Sequence, residues 1–304
     1  MLAKLPELLG RNFVIGYFLP SALGLLAVAV AAELMVGPTG VRDLTKDDWL
    51  SLLAAGAVVS WVVGVFLMAI NFQLIRFVEG YGPLNPLKIV GGLQYRVHER
   101  LVSKLDRLQA RFESLTDDER LKLSKLKDKE MTEFPSRGDQ ILPTSLGNMI
   151  RAFEGYPFEM YGVDGVTFWD HINMIVPKEG RSQIEDAKAQ FDFWLNTIVA
   201  SSVVFTSVCL MWVFSSKGIP IVPAGISLLI TVLVLLGAYI AAKTSAMLWG
   251  DTIKAAFDLN VSCLASRFGL PDSSPERLRR LSIAIGYRDP EQLAAARNDV
   301  EGAN

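Results

Sequence analysis

The side chains best suited to acid–base work gather between Pro135 and Pro177: Glu154, Glu159, Asp164, Asp170 and His171. Carboxylates and an imidazole can pass protons when they lie within hydrogen-bond reach of a substrate. Their spacing assembles no such pair. Asp170 and His171 are adjacent, so on a helix they point about 100° apart, and His171 reads as a surface or satisfied histidine. Motifs that carry chemistry elsewhere are missing. The chain has no G-x-x-x-x-G-K-S/T phosphate loop, no dinucleotide fingerprint, no H-E-x-x-H pair and no G-x-S-x-G elbow. Two histidines and two cysteines, Cys209 and Cys263, supply neither a metal cluster nor a disulfide framework. No catalytic, cofactor-binding or metal-binding residue is expected, although carboxylates alone can do chemistry, which keeps a membrane-bound enzyme as a third functional reading.

Two other patterns suggest binding or passage. Thr197, Ser201, Ser202 and Thr206 put hydroxyls on neighbouring faces of one apolar helix. Such a stripe can line a water-filled path, or its hydroxyls can bond back to helix carbonyls. Arg96, Arg100, Lys104, Arg107 and Arg111 form a basic stripe at helical spacing. Close to a membrane each base can contribute about 1 kcal/mol toward anionic headgroups; the alternative is a solvated helix face.

The elements that carry these side chains follow from hydrophobicity. Hydrophobic residues make up 51% of the 304 and charged residues 20%, with a mean hydropathy of +0.31. The apolar residues concentrate in four nearly charge-free runs, about Phe13 to Val36, Trp49 to Phe72, Phe193 to Phe214 and Ile219 to Leu248. A hydrocarbon core about 30 Å thick needs roughly 20 such residues in a helix, where the backbone satisfies its own hydrogen bonds. Short connections, Gly37-Pro38-Thr39-Gly40 and Ser215-Ser216-Lys217-Gly218, make two hairpins. The fold class expected is all-α and polytopic, with two transmembrane hairpins flanking a cytoplasmic helical domain. Residues 1–12 form the N-terminus, 13–72 the first hairpin, 73–192 the cytoplasmic domain, 193–248 the second hairpin and 249–304 the C-terminal helices.

Orientation comes from basic residues near the span ends. The hairpin loops hold Arg42, Lys46 and Lys217. The other side holds Lys4, Arg11, Arg76, Lys88, Lys178, Arg181, Lys188, Lys243 and Lys254. Both termini are therefore expected in the cytoplasm. A signal-peptide reading of the first run, with small residues Ala27 to Ala32 as cleavage sites, competes; the run is longer than a typical signal core and pairs with a second span.

Within the spans, Gly56, Ser60 and Gly64 recur every four residues and permit close helix approach, inside the chain or between copies. Pro20, flanked by Gly16 and Gly24, is expected to kink the first span. No span carries a charge near its centre, and Glu33 lies near the outer end of the first, which argues against an ion-coupled transporter.

In the central segment, Glu79-Gly80-Tyr81-Gly82-Pro83 stops a helix. Leu93, Val97, Leu101, Leu105, Leu108, Phe112 and Leu115 make a near-heptad seam, and Thr116 with Glu119 makes a capping box that opens a second helix to about Glu133. Pro143 to Asn148 reads as a turn before a short helix ending near Tyr156, and Asp164 caps another over Gly165 to Val176. Trp249, Ile253, Phe257 and Leu264 form an apolar stripe beyond the fourth span. The heptapeptide I-R-x-x-E-G-Y occurs at Ile75–Tyr81 and at Ile150–Tyr156 and is read as shared helix-stop grammar.

Leu142-Pro143-Thr144-Ser145-Leu146-Gly147-Asn148 through Arg151, with Tyr161-Gly162-Val163-Asp164 and Trp169, resembles a P-T-x-L-G-N-x-x-R pattern of uncharacterised bacterial multi-span membrane proteins. The resemblance covers about a tenth of the chain. It implies a bacterial origin and the same two-plus-two layout and brings no activity or site; with the orientation above, the expected location is the bacterial inner membrane. The layout is also similar in topology to bestrophin-type channels, with no shared motif. The leading functional expectation is a non-enzymatic module that couples cytoplasmic binding to the membrane; the second is an oligomeric channel or pore-forming effector. Partners expected are the lipid bilayer, further copies of the chain, and a cytoplasmic protein or small ligand. A formal charge of -2 gives no reason to expect nucleic acid.

Overall fold

The computed structural model describes residues 10–36, 45–82, 85–214 and 221–298. The two hairpin loops, Lys4, Pro83 and the last six residues lie outside them. The fold is all-α, with no strand among the described residues. Among the described residues, four helices are long and apolar enough to cross a membrane: Arg11–Met35, Asp48–Ala69, Lys178–Phe214 and Ile221–Arg267. Between 17% and 28% of each one's most apolar window is buried, so most of these apolar side chains face outward. In water such surface would be costly; facing lipid it is not.

Helix α1 runs from Arg11 through a π-helical turn at Val14–Phe18 into Leu19–Val36. Helix α2 is Lys46–Ala69, opened by a Thr45–Asp48 capping box, and α3 is Asn71–Glu79. Then come α4 (Gly91–Gln109), α5 (Asp117–Glu133), α6 (Ser145–Tyr161) and α7 (Gly165–Ile175). Two long helices follow, α8 (Lys178–Phe214) and α9 (Ile221–Arg267), before α10 (Pro275–Tyr287) and α11 (Pro290–Arg297). At 1.5 Å per residue, the 37 residues of α8 and 47 of α9 reach about 55 and 70 Å. Both exceed what a bilayer needs.

The chain forms two compact units, residues 1–75 with 185–245, and 76–184 with 246–304. The first unit holds the four apolar segments. Phe13, Tyr17 and Leu67 form one of its cores; Ala31, Met35, Val204, Val208 and Ala224 form another. Small residues set helix spacing there. A Cβ on Gly64 would stand 3.3 Å from Phe13 and from the Phe18 backbone, and one on Gly24 would stand 2.9 Å from the Ala200 Cβ.

The second unit joins the central segment to the C-terminal helices, which the sequence had assigned to separate regions. Leu101, Leu105, Leu115, Leu123 and Phe134 close the α4–α5 hairpin, with Val97 and Leu108 packed against them. Two members of the seam, Leu93 and Phe112, are exposed. Phe112 lies past the end of α4, in a short 3-10 turn at Phe112–Ser114. Thr116 and Glu119 make the reciprocal capping bonds. Helix α6 runs one turn beyond the expected stop at Tyr156. Pro157 lies inside it and is buried, and Gly162, at φ 74°, supplies the left-handed stop instead. Phe168, Phe257, Leu278 and Leu281 are fully buried.

Candidate functional site

Three arrangements bring polar or aromatic groups together. The first lies in the membrane unit around Asp192, which is 3% exposed. Tyr17 donates to Oδ2 at 2.7 Å, Asn71 Nδ2 to Oδ1 at 3.1 Å and Lys188 Nζ to Oδ2 at 2.6 Å. Asn196, one turn further along α8, donates to the Gly16 carbonyl at 2.9 Å. Lys188, Asp192 and Asn196 are spaced i, i+4, i+8 and share a helix face. The π turn at Val14–Phe18 carries both Gly16 and Tyr17 to this face. The close approach needs Gly16, where a Cβ would stand 3.3 Å from that of Asp192. A carboxylate removed from water is tolerable when it is charge-paired and hydrogen-bonded, and Asp192 has three donors.

The second arrangement lies in the other unit. The two I-R-x-x-E-G-Y copies each form an ion pair one turn apart, Arg76–Glu79 at 3.3 Å and Arg151–Glu154 at 3.4 Å. The two pairs lie within electrostatic reach of each other. Burial first and the Glu154 carboxylate second push Glu79 up to about 7, against the pull of Arg76 and Arg151. Burial raises Glu154 as well, with Arg151 opposing. The copies differ as helix ends: Gly80 stops α3 at φ 98°, whereas Gly155 lies within α6 without positive φ.

The P-T-x-L-G-N motif builds this corner. The Thr144 hydroxyl donates to the Val78 carbonyl at 2.7 Å and accepts from Gly147 N–H at 2.9 Å, which caps α6. Asn148 is fully buried; its side chain accepts from Leu142 N–H and donates to the Leu142 carbonyl. Gly80 and Gly91 lie against the Pro143 ring. The motif is thus a backbone clamp between α3 and α6 that holds the Arg76–Glu79 pair near the Arg151–Glu154 pair.

The third arrangement is a cavity of about 180 Å³ opening beside Glu154. Phe153, Trp169, Trp249 and Phe257 line it, with Pro157, Gly165, Val166 and Ile253. Phe153 meets Trp249 edge-on at 5.2 Å between ring centres. Gly250 makes room for Phe153, since a Cβ there would stand 2.5 Å from its ring. Tyr156 and Tyr161 both donate to Asp258 on α9, at 2.9 and 2.7 Å, and so fasten α6 to the wall that α9 contributes.

The remaining sequence candidates are dispersed. Thr197 and Ser201 line a cavity of about 280 Å³ in the membrane unit, with Pro20, Gly24, Ile230 and Thr231. Ser202 and Thr206 are exposed, and their hydroxyls bond back to the Ile198 and Ser202 carbonyls. Ser60 and Gly64 pack toward α1 or their own helix, while a Cβ on Gly56 would meet nothing. Arg96, Arg100, Lys104, Arg107 and Arg111 are all exposed. His171 packs its ring between Phe168 and Phe268, and Asp170 is exposed.

Sequence reasoning missed Asp192, Tyr17 and Asn71. The span boundary drawn at Phe193 put Asp192 one residue outside the apolar run; the i, i+4, i+8 run of Lys188, Asp192 and Asn196 was the signal available. No group of three or more metal-binding side chains occurs among the described residues. No family model, curated protein or solved structure matches the chain.

Proposed function

We propose that the chain is a non-enzymatic membrane module that couples binding outside the bilayer to its transmembrane helices. The observation that supports this is the course of α9. Its residues Trp249, Ile253 and Phe257 line the aromatic cavity, and the same unbroken helix begins at Ile221 with the fourth apolar run. An occupant that shifts those three side chains acts on the same helix that carries the fourth apolar run. On this reading the protein resides in a bacterial inner membrane with both termini and the cavity-bearing unit in the cytoplasm. The P-T-x-L-G-N-x-x-R pattern and the basic residues outside the hairpin loops motivate that placement. The exposed basic stripe from Arg96 to Arg111 then touches anionic headgroups, and the α4–α5 hairpin is a coiled-coil-like element available to a cytoplasmic protein.

Hydrogen exchange of the full chain in lipid nanodiscs tests the coupling. Val166, 63% exposed at the cavity mouth, is replaced by Trp so that an indole stands in for an occupant. Coupling predicts altered exchange over residues 221–245 as well as 249–257. A change confined to 249–257 overturns it.

The second reading is an oligomeric channel. The membrane-unit cavity lined by Thr197 and Ser201 favours it, and the open site at Gly56 offers a face to another copy.

A further inference from the structure

We infer that the aromatic cavity binds a small organic cation of the alkylammonium class. The inference deepens the coupling reading, since it names the occupant of the same cavity. Four aromatic rings, Phe153, Trp169, Trp249 and Phe257, line one space with a single carboxylate, Glu154. The faces of aromatic rings carry negative potential and attract cations, Trp most strongly. A neutral hydrocarbon would use the rings but would leave Glu154 penalised by burial.

The charge around the cavity points the same way. Glu79, Glu154 and Asp164 are the carboxylates of this corner, and Arg76 and Arg151 the guanidiniums. Three acids against two bases leave up to one negative charge in excess, the full charge being reached only as Glu79 ionises above about 7. On the α9 side Lys254 pairs with Asp251 at 3.2 Å and adds no net charge. Arg151 approaches one Glu154 oxygen, at 3.4 Å; no hydrogen bond reaches the other among the described residues. A monocation offsets the excess and gives the second Glu154 oxygen a partner beside the Arg151 pair.

Size limits the ligand. At about 180 Å³ the cavity is smaller than the roughly 300 Å³ at which drug-sized pockets begin. It is close to the roughly 150 Å³ that holds a benzene ring in an engineered apolar cavity. A trimethylammonium or similar headgroup with a short tail fits that scale.

The test uses the full chain in nanodiscs, with labelled choline as the probe in equilibrium dialysis. The competitor is its neutral analogue, in which a tert-butyl group replaces the trimethylammonium. The expected result is saturable choline binding, with the neutral analogue weaker by about tenfold. Glu154→Gln and Trp169→Leu should each weaken choline by about tenfold, with Val166→Trp, at the mouth, as an independent block. Equal binding of choline and its neutral analogue overturns the cation assignment. So does the absence of saturable binding, or retention of full affinity in all three variants. Hydrogen exchange over residues 221–245 is read in the same samples. Choline binding without a change there would refute the coupling and leave the ligand class standing; a neutral occupant that does change it would refute only the ligand class.

Discussion

The Tyr17 hydroxyl donates a 2.7 Å hydrogen bond to the buried carboxylate of Asp192, 175 residues away in sequence. The bond ties the π turn of α1 to the start of the third apolar run, and Asn71 ties the start of α3 to the same carboxylate. Tyr17→Phe removes one donor and leaves two, so it should cost about 1 kcal/mol. Asp192→Ala removes the acceptor of Tyr17 and Asn71 and one ion-pair partner of Lys188, and should cost about 3 kcal/mol or more. Thermal unfolding in mild detergent checks both. The double variant should be little worse than Asp192→Ala, because Tyr17 has already lost its acceptor. Additive losses would show that the hydrogen bond does not hold these helices together.

Gly147 packs directly against the backbone at the end of α3. A Cβ there would stand 2.6 Å from the Glu79 carbonyl oxygen and 2.8 Å from its Cα. Backbone cannot rotate away as a side chain can, so Gly147→Ala must separate α6 from α3. The expected cost is about 2 kcal/mol or more, with faster proteolysis in the unit of residues 76–184 and 246–304. Gly155→Ala, on the same helix with nothing within reach of its Cβ, should instead be neutral or slightly stabilising. Similar protease sensitivity for both would refute the clamp.

The contrast between these two glycines shows what was legible in the sequence. Spans and caps are local: charge-free runs of over twenty residues, Thr116 with Glu119, and Asp164 before α7 all announced themselves. The clamp is not local. Gly147 and Glu79 are distant in sequence, so P-T-x-L-G-N read as a turn. The I-R-x-x-E-G-Y repeat read as helix-stop grammar, which holds for Gly80 and not for Gly155; the proximity of its two ion pairs is set by tertiary packing. The same holds for the cavity. Trp249, Ile253 and Phe257 were legible as a stripe on α9, and Phe153 and Trp169 as a dense aromatic segment, but nothing local paired the two.

Glu79 should make stability depend on pH. Its folded carboxyl is held up at about 7, above the ordinary glutamate value of roughly 4.3 in an unfolded chain. A raised carboxyl contributes stability that is fully present below the unfolded value and is lost as pH rises through the folded one. Between pH 6 and pH 8 that loss is about 1 kcal/mol. Glu154, Arg76 and Arg151 are the charged neighbours that set it, and Glu79→Gln should flatten the dependence. Melting curves of both proteins across this range decide the matter: a wild-type midpoint that rises toward pH 8 contradicts the assignment.

The channel reading separates into two geometries that the hydroxyl-bearing residues distinguish. Ser201 is buried and lines the cavity among three apolar segments, whereas Thr206 is exposed on the outside of α8. A pathway within one chain would be narrowed by Ser201→Leu and untouched by Thr206→Leu. A pathway between copies would respond to Thr206→Leu and to bulk at exposed Ser202, and would require a defined oligomer of four or more by detergent-corrected light scattering. Planar-bilayer recordings of the three variants decide between them. A strong reduction of current at Ser201 alone supports the first geometry, and one at Thr206 and Ser202 the second. Unchanged current in all three removes this helix from any pore, and a monomer or simple dimer removes the oligomeric channel.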